Sequence, residues 1–106
     1  MGKYMRLIVF FDLPVVTKRD RKIYAQFRKF LIKDGYDMLQ FSVYSRICNG
    51  DDGVNKHYAR LKDNLPKKGS IRCMKVTEKQ YVSMEILIGK KTVRERKINA
   101  DQLSLF

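Results

Sequence analysis

Asp12 is the residue of this chain best suited by type and place to do chemistry. It closes a short apolar run, Met5 to Phe11 (MRLIVFF), and a few residues later the chain becomes a burst of cations: Lys18, Arg19, Arg21 and Lys22. A carboxylate at a strand end can reach a cleft and hold a hard cation. Magnesium takes oxygen ligands in octahedral array but keeps several waters, so one or two carboxylates suffice. One aspartate per chain is a weak site. Two, brought together across a twofold axis, would make a credible magnesium centre that polarises a phosphate or generates a hydroxide. The competing role is a turn residue bonding backbone amides ahead of Leu13-Pro14. Spacing leaves both roles open and favours the turn.

Other chemistries lack their residues. His57, the single histidine, falls on a predicted helix near its apolar stripe with no partner implied by spacing, and reads as a surface or boundary residue. Neither a GxxxxGK[ST] phosphate loop nor a GxGxxG is present. Cys48 and Cys73 are remote from each other and from His57, which excludes a zinc knuckle or a CxxC pair; both read as reduced thiols.

The charge points to a class of partner. The chain has 23 Lys and Arg against 11 Asp and Glu, a net charge of +12. Such an excess repels itself unless a polyanion shares it, so nucleic acid is the default ligand; the alternative is a soluble basic protein without one. Lys18, Lys22, Gln26, Lys29 and Lys33 line one helical face, with Arg19, Arg21 and Arg28 beside it. Lys18, Arg19, Arg21, Lys22, Arg28 and Lys29 are the candidate DNA contacts, and Lys67, Lys68 and the Lys90 to Lys97 segment add to them. Several cations acting together release condensed counterions, which favours phosphate binding. The paired stacking aromatics of an RRM are absent and FSVYSR is no substitute, so the expected grip is on backbone.

The elements that position these groups follow from periodicity. MRLIVFF is a strand ended by Asp12, Leu13 and Pro14. Thr17 caps a helix running to about Asp34, with Asp20 as the acid of a capping box, Ile23, Tyr24, Phe27, Phe30 and Leu31 on its apolar face, and Gly35 as its stop. Tyr36 to Arg46 alternates as a strand, broken by NGDDG. Val54, Tyr58, Leu61 and Leu65 recur at helical spacing up to Pro66. Ser70 to Val76 reads as a strand, TEKQ as a turn, and Tyr81 to Ile88 (YVSMEILI) as a further strand. The set of four strands and two helices is read as α+β, a ferredoxin-like βαββαβ sandwich, although the segments as bounded here place the second helix ahead of the third strand.

At 106 residues there is room for one domain, placed at 1-88, followed by a basic connector and a terminal strand over 89-106. That strand must pair with an edge of its own sheet, a twin subunit or another protein. No apolar run is long enough for a membrane span and the N-terminus lacks a signal-peptide cleavage site, so a cytoplasmic location is expected.

FFDLP, FRKFLIKDGY, MLQFSVYSR, NLPKKGSI and VTEKQY together resemble the small CRISPR-associated protein two family, most closely its type II form, over nearly the whole chain. The resemblance implies a homodimer of ferredoxin-like subunits that bridges two dimers of the CRISPR integrase, protein one, and assists spacer acquisition. It implies that the basic residues after Asp12 face duplex DNA. It also implies that Leu103, Leu105 and Phe106 form a last strand that completes an intersubunit sheet and touches the integrase. Many members are described as magnesium-dependent nucleases of single-stranded RNA or of DNA. Their proposed metal ligand matches Asp12, which makes Asp12 the candidate catalytic residue and places Mg2+ at the dimer interface.

Overall fold

The structure, a computed structural model, describes residues 3–91. In chain order the elements are β1 (Tyr4–Asp12), α1 (Lys18–Lys33), β2 (Asp37–Gln40), β3 (Val43–Asn49), α2 (Gly50–Lys62), β4 (Ser70–Thr77) and a short α3 (Glu78–Val82). The sheet order is β2-β3-β1-β4 with every pair antiparallel. This is the expected ferredoxin-like α+β arrangement, with α3 added.

Side chains alternate across a strand. Leu7, Val9 and Phe11 of β1 meet Phe27 and Leu31 of α1 and Val54 and Leu61 of α2, so both long helices cover one face of the sheet. Phe11 lies edge-on to Phe27 at 5.2 Å between centroids and stacks on Tyr44 at 5.6 Å. Burial of each such side chain contributes about 1.5–3 kcal/mol. The opposite face carries Arg6, Ile8 and Phe10. Arg6 is buried there because α3 folds against it. Its Nε and Nη2 donate to the two Glu78 carboxylate oxygens at 2.9 and 3.0 Å, and its guanidinium lies 3.9 Å from the Tyr81 ring centroid.

Two predicted strands differ. Tyr36 to Arg46 is not one strand but two, β2 and β3, joined at Phe41 and Ser42. Ser42 adopts the left-handed φ of 66°, and the register slips between Met38 and Gln40. Tyr81 to Ile88 is not a strand at all. TEKQ is a capping box: Thr77 Oγ1 accepts from the Gln80 N–H at 3.0 Å, and Gln80 Oε1 accepts from the Thr77 N–H at 2.8 Å, which starts α3. The proposed terminal strand with Leu103, Leu105 and Phe106 lies outside the described residues.

The end of α1 organises a polar junction. Tyr36 N–H donates to Leu31 C=O and Gly35 N–H to Ile32 C=O, a Schellman closure that needs Gly35 at φ 94°. The adjoining Asp34 carboxylate bonds His57 Nδ1 at 3.0 Å and Arg60 Nη1 at 2.9 Å, and its backbone C=O accepts from Arg46 Nε at 2.7 Å. His57, expected at the surface or boundary, is therefore buried and tied across to α1. Burial pushes the Asp34 carboxyl up, but the bonds from His57 and Arg60 outweigh it and hold the group below its ordinary value. A carboxyl lowered on folding stabilises above its unfolded pKa, and that contribution fades as pH falls through the folded value. Asp34→Asn should lower stability at neutral pH by about 1–3 kcal/mol in urea unfolding. It should also lose less further stability than the native chain between about pH 4 and pH 2.

Candidate nucleic-acid interface at the end of β1

Asp12 is the last residue of β1, opposite Ser70 of β4, and is exposed. The next residue, Leu13, is buried in the core, so the chain is anchored immediately after the carboxylate. The connection to α1 is braced from the helix itself. Arg21 Nη1 donates to the Val15 and Val16 carbonyls at 3.2 and 2.9 Å. Thr17 Oγ1 accepts from the Asp20 N–H at 3.0 Å, while Asp20 Oδ2 accepts from the Thr17 N–H at 3.1 Å. That backbone bond from Thr17 is the chief reason the Asp20 carboxyl lies below its ordinary value. Asp12 and the N-terminus of α1 are thus held in a fixed relation.

Among the described residues the Asp12 carboxylate has neither a hydrogen bond nor an ion pair, so it does not serve the turn that spacing favoured. It lines a cavity of about 260 Å³ with Phe10, Phe11, Phe41, Ser42, Val43, Ser70 and Arg72. Spacing in the sequence gives no sign of Arg72 or Phe41 at this place. Arg72 arrives through register, facing Phe10 across the β1–β4 ladder, and Phe41 through the β2–β3 turn.

The cations separate into two kinds. Lys18, Arg19, Lys22, Arg28 and Lys29 are exposed, and no carboxylate among the described residues pairs with them. Arg21 is exposed too, but it is committed to the two loop carbonyls. Sixteen helical residues extend about 24 Å, long enough to follow several backbone phosphates. The positive end of the helix dipole adds to Lys18 and Arg19. Lys67 and Lys68 stand beside Arg19 at the rim of a groove of about 630 Å³ between α1 and the loop before β4.

Among the described residues no group of three His, Cys, Asp or Glu side chains converges, and Asp12 is the one acid of its cavity. A single carboxylate completed by waters is a weak magnesium site, and the Asp12 of a second copy would strengthen it. Neither thiol is a ready nucleophile: burial pushes the Cys48 and Cys73 thiols up, away from the reactive thiolate.

The chain matches known proteins along most of its length. A family model described as CRISPR associated protein Cas2 matches residues 5–84. A protein of Acidovorax ebreus (strain TPSY) named "CRISPR-associated endoribonuclease Cas2" is 58% identical over 102 residues, 96% of this chain and 100% of its own. One of the same name from Flavobacterium psychrophilum is 44% identical over 100 residues, 94% of this chain and 86% of its own. Another from Campylobacter jejuni subsp. jejuni is 42% identical over 104 residues, 98% of this chain and 73% of its own.

Gly69 packs directly against the Asp12 turn at φ 98°, where a Cβ would lie 2.6 Å from Leu13 Cδ2 and 2.8 Å from the Asp12 carbonyl oxygen. Gly69→Ala should therefore destabilise the chain by about 1–3 kcal/mol, read from the urea midpoint. It should also displace the Asp12 and Leu13 backbone resonances in NMR.

Proposed function

This chain belongs to the CRISPR associated protein Cas2 family, and on that premise we propose that it acts in the cytoplasm as a homodimeric, non-catalytic subunit of CRISPR spacer acquisition. In this reading the dimer bridges two integrase dimers and grips the backbone of duplex DNA through Lys18, Arg19, Lys22, Arg28 and Lys29, with Arg21 holding the loop that aims them. The observation that carries it is the exposed set of α1 cations with no carboxylate partner among the described residues, on a chain of net charge +12. Dimerisation is supported by apolar surface. Phe10 and Met74 stand exposed on the sheet face opposite α1 and α2, and Ile86, Leu87 and Ile88 follow α3 into solvent. The outer edge of β4 has no strand beside it among the described residues, which leaves room for β-augmentation. Leu103, Leu105 and Phe106 are assigned to the integrase contact.

Replacing Lys18, Arg19 and Lys22 by Gln should weaken duplex binding and flatten its salt dependence. The log-log slope should fall by about 0.9 for each phosphate that is no longer neutralised. Duplex titrations from low to moderate salt measure it, and an unaltered slope refutes the assignment.

A second reading is a magnesium-dependent nuclease with Asp12 from each of two subunits sharing one ion. It is favoured by the unpartnered Asp12 carboxylate and by the name of the relatives, endoribonuclease. The two readings part at Asp12→Ala. A scaffold should support integration by its partner at the native rate with this substitution. A nuclease should lose cleavage of single-stranded RNA or duplex DNA in magnesium by orders of magnitude, and cleavage that survives assigns the activity to another site or a contaminant.

A further inference from the structure

Phe41 is 81% exposed at the β2–β3 turn, yet it is held in place. Its ring stacks on Tyr24 of α1, with centroids 6.0 Å apart and planes 22° from parallel. The turn beneath it is pinned twice. Phe11 N–H donates to the Ser42 C=O at 3.1 Å, and the Tyr24 and Ser42 hydroxyls lie 3.2 Å apart. These bonds keep Ser42 at φ 66°, a left-handed conformation that is uncommon for any residue but glycine and asparagine. A lone exposed aromatic is ordinary. One fixed with a free face, at the lip of a cavity that also holds an arginine and a carboxylate, asks for a ligand with a flat apolar face and a negative charge.

We infer that Phe41, seated on Tyr24, is a stacking platform for one unpaired base of a single-stranded nucleic acid, whose adjoining phosphate is held by Arg72 at the mouth of the Asp12 cavity. The inference deepens the proposed function and rests on its premise that this basic surface binds nucleic acid. A base within a duplex has both faces covered by its neighbours, so only an unpaired base can use the ring, and any base suffices because each has a π-face. Asp12 lines the same cavity and repels phosphate, so the backbone must lie on the Arg72 side, two residues along the β1–β4 ladder, where Arg72 faces Phe10 and Asp12 faces Ser70. The platform therefore takes a frayed end or a single strand, while the α1 stripe takes the duplex.

The test is fluorescence anisotropy of the full chain, in EDTA so that metal-dependent cleavage is silent. The probes are a labelled single-stranded DNA of about 12 nucleotides, the same strand carrying abasic residues, and a duplex. Phe41→Ala should bind the single strand about 5- to 100-fold more weakly and the duplex as the native chain does. Native and Phe41→Ala should bind the abasic strand alike. The chain has no tryptophan, so Phe41→Trp introduces a sole indole, whose emission should be quenched by the single strand and not by its abasic form. Single-strand affinity that survives Phe41→Ala overturns the inference, as does an equal loss on the duplex. A change of oligomeric state on a sizing column does so too, by making Phe41 an interface residue. If duplex binding is normal in those cases, the proposed function stands; a native chain that ignores both strands and duplex removes the proposed function itself.

Discussion

Burial of β1 fixes the position of every group that matters. It is flanked by β3 on one edge and β4 on the other, with α1 and α2 against one face and Arg6 clamped to α3 on the other. A strand so enclosed cannot slip by a residue without turning its apolar set to the wrong side. Its C-terminal end is therefore a rigid rim. Asp12 emerges there, Leu13 anchors the chain at once, and the loop to α1 is held by Arg21 and the Thr17 cap. Carboxylate, arginine, exposed aromatic and helix N-terminus share one corner because they are all tied to this strand.

The charge asymmetry has a structural origin as well as a compositional one. Carboxylates are drawn into internal duties: Asp20 caps α1, Asp34 joins α1 to α2 through His57 and Arg60, and Glu78 holds Arg6. Each of those acids is bonded away from the outer face of α1. Among the described residues the lysines and arginines there have no carboxylate counterion, which turns a net excess into a directed one. Counterion release on meeting phosphate then becomes the natural gain. The same division leaves Asp12 conspicuous, since it is an acid with no internal duty beside the most basic part of the chain.

Features whose cause is local were legible in the sequence. FFDLP ends a strand because proline cannot continue the ladder, Thr17 and Asp20 make a capping box, and Gly35 closes α1. The cationic and apolar faces of α1 followed from its period. Features set by tertiary bonds were hidden. The split of Tyr36 to Arg46 turns on Ser42 at positive φ, a residue that carries no such signal and is held by Phe11 and Tyr24. His57 is buried because Asp34, far off in sequence, meets it. Tyr81 to Ile88 has strand composition, but the TEKQ cap, whose T-x-x-Q was readable, starts a helix first and Arg6 holds its Glu78 and Tyr81. The meeting of Arg72 and Phe41 with Asp12 depends on register and a turn, neither visible in spacing.

The two readings of Asp12 demand different things of the same corner. Catalysis on a phosphodiester needs charge stabilisation where negative charge develops, and a single acid with one arginine in a largely apolar cavity supplies the wrong sign unless a bound cation intervenes. Positioning needs far less: fixed cations along α1, a platform for a base that leaves the duplex, and an acid that repels phosphate from one wall and so sets the path of the strand. The groups that the second demand calls on all lie within one chain, on α1 and at the rim of β1. The first demand falls on a bound cation whose ligands two converging rims would supply, so the oligomeric contact would govern that chemistry, while the exposed cations of α1 are already present in the protomer.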